Sequence, residues 1–257
     1  MPVDYLKYRA SAAEQARVAD FLNLLPRQRR TVLEIGARDG YFSRLLTNHF
    51  FQVTALDLQK PLIDIPRVKP VKGDVTSLEF PDNYFDVVCC TEVLEHIESS
   101  LLQQACNEIT RVARCEVLIG VPFRQDRRVG RTTCNACLRH NPPYGHVNSF
   151  DQTALQELFS ELDLISFTFT GKTKEVTNPV SALLMDLAGN PWGTYAQEEP
   201  CIFCGAPLRP PKRRALVRRA MAASAEYMNR LQRTFTPALP LWIHGVFQKR
   251  TECSARS

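Results

Sequence analysis

The segment Thr31–Leu46, TVLEIGARDGYFSRLL, constrains the fold more than any other stretch. Val32, Leu33 and Ile35 form a short apolar run of the kind found in a parallel strand covered on both faces. Gly36 follows at once, then Gly40, then Phe42, Leu45 and Leu46 at helical spacing. A glycine at the carboxyl end of a strand lets the backbone turn sharply and approach a ligand with no Cβ in the way. The helix behind it turns free N–H groups and the positive end of its dipole toward that ligand. The pattern reads as a nucleotide site in an α/β sheet, or more plainly as a structural turn.

The glycines are spaced G-x-x-x-G, so the dinucleotide fingerprint G-x-G-x-x-G fails. A second strand, Gln52–Leu56, closes on Asp57. That acid lies about twenty residues past the turn, where α/β nucleotide folds place a carboxylate on the ribose hydroxyls. Its other reading is a helix N-cap. A third strand, Val68–Lys72, runs into Gly73-Asp74-Val75, and a turn at Pro81–Asn83 leads to a fourth, Phe85–Cys90. Cys89 and Cys90 then sit in or near the core.

Glu34-Ile-Gly36-Ala-Arg-Asp-Gly40 resembles the first motif of class I S-adenosylmethionine-dependent methyltransferases, E-x-G-x-G-x-G, with Arg38 in place of the middle glycine. GDVTSLEFPDNYFDVVCCTEVLEHI, residues 73–97, is similar to the second half of the site in the branch that includes ubiquinone and menaquinone biosynthetic enzymes. The resemblance implies a doubly wound α/β fold with a seven-stranded, mostly parallel sheet, Rossmann-like, ending in an antiparallel pair. It implies S-adenosylmethionine as cofactor, held by Glu34, Gly36, Ala37, Gly40, Asp57, Leu58, Asp74, Val75 and Glu92. In that family the acid equivalent to Asp74 bonds the adenine amino group, and the residue equivalent to Glu92 lies beside the cofactor.

Ala10–Leu25 has helical spacing and stops at Pro26; it packs on the sheet edge or lids the site. The basic run Arg27–Arg30 reads as a solvated linker. Helices are expected at Ser99–Ala113 and Asp151–Leu162, and strands at Glu116–Val121, Leu164–Thr170 and Trp242–Phe247. Residues 1–30 thus precede a domain over 31–250, with insertions at 123–150 and 172–240 and a tail at 251–257.

Each insertion carries a C-x-x-C knuckle, Cys134/Cys137 and Cys201/Cys204. Four soft thiolates suit tetrahedral zinc, and four thiolates leave no open position, so the zinc would be structural. Loops after parallel strands emerge on one face, so the two knuckles can meet and staple the insertions into a cap over the substrate side. The bland reading is four reduced thiols. Between the first knuckle and the next helix lies Asn141–Phe150, NPPYGHVNSF. His146 there is a general base for the acceptor, a zinc ligand or a loop cap. His140 is a weaker ligand candidate, and His96 faces the pocket or is structural.

Arg209–Arg219 holds six basic residues and no acid. Lacking interleaved aromatics, it reads as a solvated face more than a nucleic-acid footprint. Leu216, Ala220, Ala223, Tyr227 and Leu231 then share one helical stripe, expected to pack. The chain has 257 residues, 44% hydrophobic and 23% charged, with net charge +5 and nine cysteines. Those values fit a globular chain and select no partner. With no leader-like segment and no apolar run near twenty residues, a cytoplasmic protein without membrane spans is expected. The expected activity is methyl transfer to a small-molecule or glycan-type acceptor; RNA or protein methylation and a catalytically silent binding protein are the alternatives.

Overall fold

The computed structural model describes residues 5–211 and 215–250. Seven strands form one sheet: β1 (Thr31–Ile35), β2 (Gln52–Asp57), β3 (Val68–Lys72), β4 (Phe85–Thr91), β5 (Ala113–Pro122), β8 (Asp163–Thr170) and β9 (Trp242–Gln248). Their order is β3-β2-β1-β4-β5-β9-β8, with β9 antiparallel to both neighbours. This is the expected doubly wound architecture.

Alternation along the strands explains the two cores. Val32, Val53, Val87, Leu118 and Val246 point to one face, where Phe21 of helix α2 (Ala12–Asn23) and Leu46 of α3 (Tyr41–Leu46) cover them. Leu33, Val88, Val117 and Ile119 point to the other, beneath Ile109 of α4 (Leu102–Val112) and Leu155 of α5 (Gln152–Leu158). A strand covered on both faces needs apolar residues at every position, which is why these segments read as continuous runs. Pro70 is tolerated in β3 because β3 is an edge strand, paired only with β2.

Most boundaries fall within a few residues of those expected, but the helices are shorter. The 99–113 helix spans Leu102–Val112, and the 151–162 helix stops at Leu158. An additional short helix, α1 (Tyr5–Arg9), precedes α2. The Arg27–Arg30 run is not wholly solvated, since Arg29 forms a bidentate pair with Glu116 at 2.5 and 2.9 Å.

The insertions form real structure. The first contains the small hairpin β6 (Thr132–Thr133) and β7 (His140–Asn141); the second contains α6 (Pro179–Leu187) and α7 (Leu216–Phe235). Asn178 caps α6 in a capping box with Ser181. The expected packing of the Leu216–Leu231 stripe is overturned: Leu216, Tyr227 and Leu231 are exposed. The buried side of α7 is instead Ala222, Ala225 and Asn229. Small residues let the two helices approach closely. Asn229 Oδ1 fixes their register by accepting from Ser181 Oγ at 2.6 Å and Thr177 Oγ1 at 2.9 Å. Lys212, Arg213 and Arg214, the middle of the basic run, lie outside the described residues, as does the 251–257 tail. Among the described residues no helix is long and apolar enough to cross a membrane.

Candidate functional site

The carboxyl ends of β1, β2, β3 and β4 lie side by side on one edge of the sheet, carrying Gly36, Asp57, Asp74 and Glu92. Gly36 has φ +84° and Gly40 φ +79°, so both turns of the loop use the left-handed region. Arg38, at φ +50°, adopts that region as well. The Gly36 and Ala37 amides both donate to the Leu56 carbonyl, at 2.9 and 3.1 Å, tying the loop to β2. The Arg38 amide donates to Asp57 Oδ2 at 2.9 Å, which orients that carboxylate across the mouth of the loop. Gly40 caps α3, but that helix has only six residues, so its dipole is weaker than the sequence pattern implied.

Not every residue of the expected cofactor set reaches the open edge. Ala37 and Val75 are buried, and Leu58 is exposed beside Asp57. Asp74 Oδ1 accepts from the Thr76 amide and hydroxyl at 2.8 and 2.7 Å, shaping its own loop. Glu34 is turned into the β1–α3 packing, where Ser43 donates to it. Burial pushes its carboxyl up to about 7, offset in part by Ser43 and raised further by Asp57 and Asp39. An acid whose folded pKa lies above its ordinary 4.5 favours the fold most below that pH. The benefit is lost as pH rises through 7. Glu34→Gln should therefore match the wild type near pH 4 and become more stable above pH 7, by up to about 3 kcal/mol, in urea denaturation across that range.

Glu92 sits at the end of β4 with φ +55°, a strained conformation for a side-chain-bearing residue. Its Oε2 accepts from Trp242 Nε1 at 3.3 Å, while its Oε1 is buried without a partner. Of the two roles expected for the 10–25 helix, α2 packs on the sheet, while the contact over the glycine loop comes from α1. Arg9 of α1 clasps Asp39 at 2.7 and 2.8 Å and lies over Tyr41, lidding the glycine loop. Asp20 of α2 accepts from Thr168 and pairs with His244, fixing α2 to the sheet.

The two knuckles meet. Cys134 and Cys204 Sγ are 3.7 Å apart, Cys137 and Cys201 3.6 Å, and all four sulfurs fall within 4.8 Å of one another. The Ala136 amide donates to Cys134 Sγ. Around them the insertions interlock: Thr194 N–H reaches Gly130 O, Ile202 N–H reaches Asn141 Oδ1, and Asn190 Nδ2 reaches Thr133 and Asp186. A Cβ on Gly193 would lie 2.1 Å from Arg131 O, so only glycine permits this approach. His140 serves this hairpin, contacting Thr133 and Asn190.

Residues 197–199 form a strap that ties the two insertions to each other and to the glycine loop. Gln197 Oε1 accepts from the Tyr144 amide at 2.8 Å, and Glu198 pairs with Arg38 at 2.8 Å. His146 stacks edge-on against His96 with ring centroids 4.6 Å apart. Burial, aided by the other histidine, pushes His146 down to about 3; His96, which is partly open to solvent, is also lowered, by the burial of its inner side and by Arg38. The His146 imidazole, lowered this far, stays neutral near neutral pH and is a weaker base than an ordinary histidine. Glu95, which the sequence reading passed over, is buried in the same cluster; its only signal was its place next to His96 in EVLEHI.

The sequence model of a family described as "Methyltransferase domain" matches residues 5–165. The ubiquinone biosynthesis O-methyltransferase of Rickettsia typhi is 33% identical over 76 residues, which are 26% of this chain and 31% of that protein. The chain thus aligns with about a third of that relative's length. Among solved structures, the N-methyltransferase NodS of Bradyrhizobium japonicum in complex with S-adenosyl-L-homocysteine superposes with TM-score 0.53 at 13% identity, covering 95% of this chain and 91% of that one. The YcgJ protein of Bacillus subtilis gives TM-score 0.52 at 15% identity, covering 92% and 99%. At such identities the likeness is one of fold.

Proposed function

This chain belongs to the methyltransferase-domain family, and on that premise we propose that it transfers the methyl group of S-adenosylmethionine to a small-molecule or glycan-type acceptor. The observation that carries this reading is the row of strand ends presenting Gly36, Asp57, Asp74 and Glu92. The residues suit the cofactor. Asp57 keeps Oδ1 for the ribose diol while Oδ2 is fixed by the loop. Asp74 retains an oxygen for the adenine amino group, and Glu92 offers a buried oxygen without a protein partner toward the cofactor's positive charge. When bound, the cofactor supplies an electrophilic methyl on a sulfonium, so the protein's task is to align an acceptor and exclude water. The Arg9–Asp39 clasp and the 197–199 strap close two sides of that space.

The second part of the reading is a structural zinc on Cys134, Cys137, Cys201 and Cys204. Zn–S bonds of about 2.3 Å in a tetrahedron place sulfurs about 3.8 Å apart, close to the spacings here. Insertions 123–150 and 172–240 are then one cap, fastened to itself by metal.

Asp57→Ala should weaken S-adenosylhomocysteine binding by about 1.5–3 kcal/mol, the scale of hydrogen bonds to a charged group. Titration calorimetry on the folded variant reads this directly. Wild-type affinity would remove the ribose assignment, and tight binding by the wild type without turnover over a broad acceptor panel would leave the silent-protein alternative in its place.

A further inference from the structure

We propose that Glu95, His96 and His146 hold a first-row divalent cation beneath the cap, and that this cation anchors the acceptor through oxygen beside the methyl donor. The acceptor part rests on the methyltransferase reading above; the metal site does not.

One ligand atom from each of the three residues lies within 4.8 Å of the others. Glu95 is 1% exposed, and both of its carboxylate oxygens are buried without a hydrogen-bond partner. A buried carboxyl in that state is either held neutral or completed by a cation, and a metal ion would supply the second. Among the described residues the guanidinium that acts on Glu95 is Arg17, but it is held bidentately by Glu14 at 2.7 Å on both arms, and Glu92 adds another acidic group beside Glu95.

The backbone holds this arrangement in place. The Glu95 carbonyl accepts from the Val147 and Asn148 amides at 2.7 and 3.1 Å, which pins the His146 loop against the end of β4. Asn148 Nδ2 donates to the Leu94 and Ile97 carbonyls at 2.9 and 2.6 Å, tying the same loop to both sides of the Glu95-His96 pair. His146 Nδ1 lies 2.6 Å from Gln125 Oε1, which can only accept, so Nδ1 carries the proton and Nε2 presents a lone pair. That outer contact is the usual way a ligating histidine is oriented.

One carboxylate and two imidazoles suit a borderline cation such as Zn²⁺, Fe²⁺, Mn²⁺ or Co²⁺, and three protein ligands leave positions open. This contrasts with the closed four-thiolate site. An acceptor with two neighbouring oxygens could fill the open positions and would have one hydroxyl acidified there. In transfer, the acceptor O–H bond breaks and its proton passes to solvent water. The oxygen forms the new C–O bond with the methyl group. The C–S bond breaks with its electron pair staying on sulfur, giving a methyl ether and neutral S-adenosylhomocysteine. No histidine base is required.

The test uses the full chain with its cysteine site loaded with zinc. Mn²⁺, which avoids thiolates, is titrated in and the free ion is counted by electron paramagnetic resonance. One Mn²⁺ should bind per chain, and affinity should fall at least tenfold in Glu95→Gln and in His96→Asn. Mn²⁺ should raise the melting temperature of the wild type but not of Glu95→Gln, an isosteric change that removes the buried charge and so keeps the fold. Calorimetry with S-adenosylhomocysteine should give the same affinity in all three proteins. No Mn²⁺ or Co²⁺ binding by the wild type, or equal binding by the variants, overturns the site. Mn²⁺ binding in a protein that does not bind S-adenosylhomocysteine leaves the site standing and overturns its role in methyl transfer.

Discussion

Cys201→Ser should abolish zinc binding and unfasten the cap while leaving the nucleotide half of the sheet folded. The apolar core around the knuckles is small, with Leu208, Tyr195 and Ala206 packed on the cysteines themselves. So little buried surface cannot hold two chain segments together unaided, and structural zinc supplies on the order of 10–16 kcal/mol in small zinc modules. The sheet has separate cores on both faces and does not depend on the knuckles. Losing the metal should therefore loosen the 197–199 strap, which ends only two residues before Cys201 and reaches Arg38 and Tyr144. Acceptor turnover should drop at least tenfold, and S-adenosylhomocysteine affinity much less, because the strap reaches the glycine loop through the half-exposed Arg38–Glu198 pair. Elemental analysis of protein purified without added metal should find close to one thiolate-bound zinc per chain, absent in the variant. Because thiolates must be deprotonated to bind, the zinc should also be released as pH falls. Metal-free protein with full activity would sink this account.

The row of strand ends proposed to hold the cofactor was legible because its signals are local. Val32, Leu33 and Ile35 before Gly36, and Gln52–Leu56 before Asp57, each join a strand pattern to its terminator in one short segment. The four-cysteine cluster was legible through chemistry, and topology then brought pairs more than sixty residues apart together. What the sequence hid depends on distant partners. Glu95 looks like an ordinary helix acid; its burial is created by the loop of Val147 and Asn148 folding onto its carbonyl. The α7 stripe misled because its bulky residues carry the period, whereas the contact with α6 is made by alanines and by Asn229, which hydropathy does not mark. α6 could have been found: Asn178-Pro179 followed by Ser181 is a capping signal ahead of an apolar run.

Gly36→Ala should be among the most damaging single substitutions in the nucleotide half, through two separable effects. At φ +84° an alanine carries the strain of the left-handed region, about 1–2 kcal/mol. Its Cβ would also stand 2.4 Å from Val93 Cγ2, too close for any real contact. Relieving that clash means shifting the turn after β4, at a further cost of about 1–3 kcal/mol. That turn carries Glu92, Glu95 and His96, so the displacement would spread from the glycine loop to the whole edge. The expected result is a loss of about 2–5 kcal/mol in urea denaturation and at least a tenfold loss of S-adenosylhomocysteine affinity. Gly189→Ala is the control. Its φ of +82° is similar, but nothing lies within 4 Å of the added Cβ, so only the backbone strain should register and cofactor affinity should be unchanged. Gly36→Ala combined with Val93→Ala should recover the part due to the clash and leave the part due to φ. If Gly36→Ala alone keeps native stability and affinity, the loop does not hold the cofactor through a close backbone approach, and the nucleotide site must be placed elsewhere on the sheet.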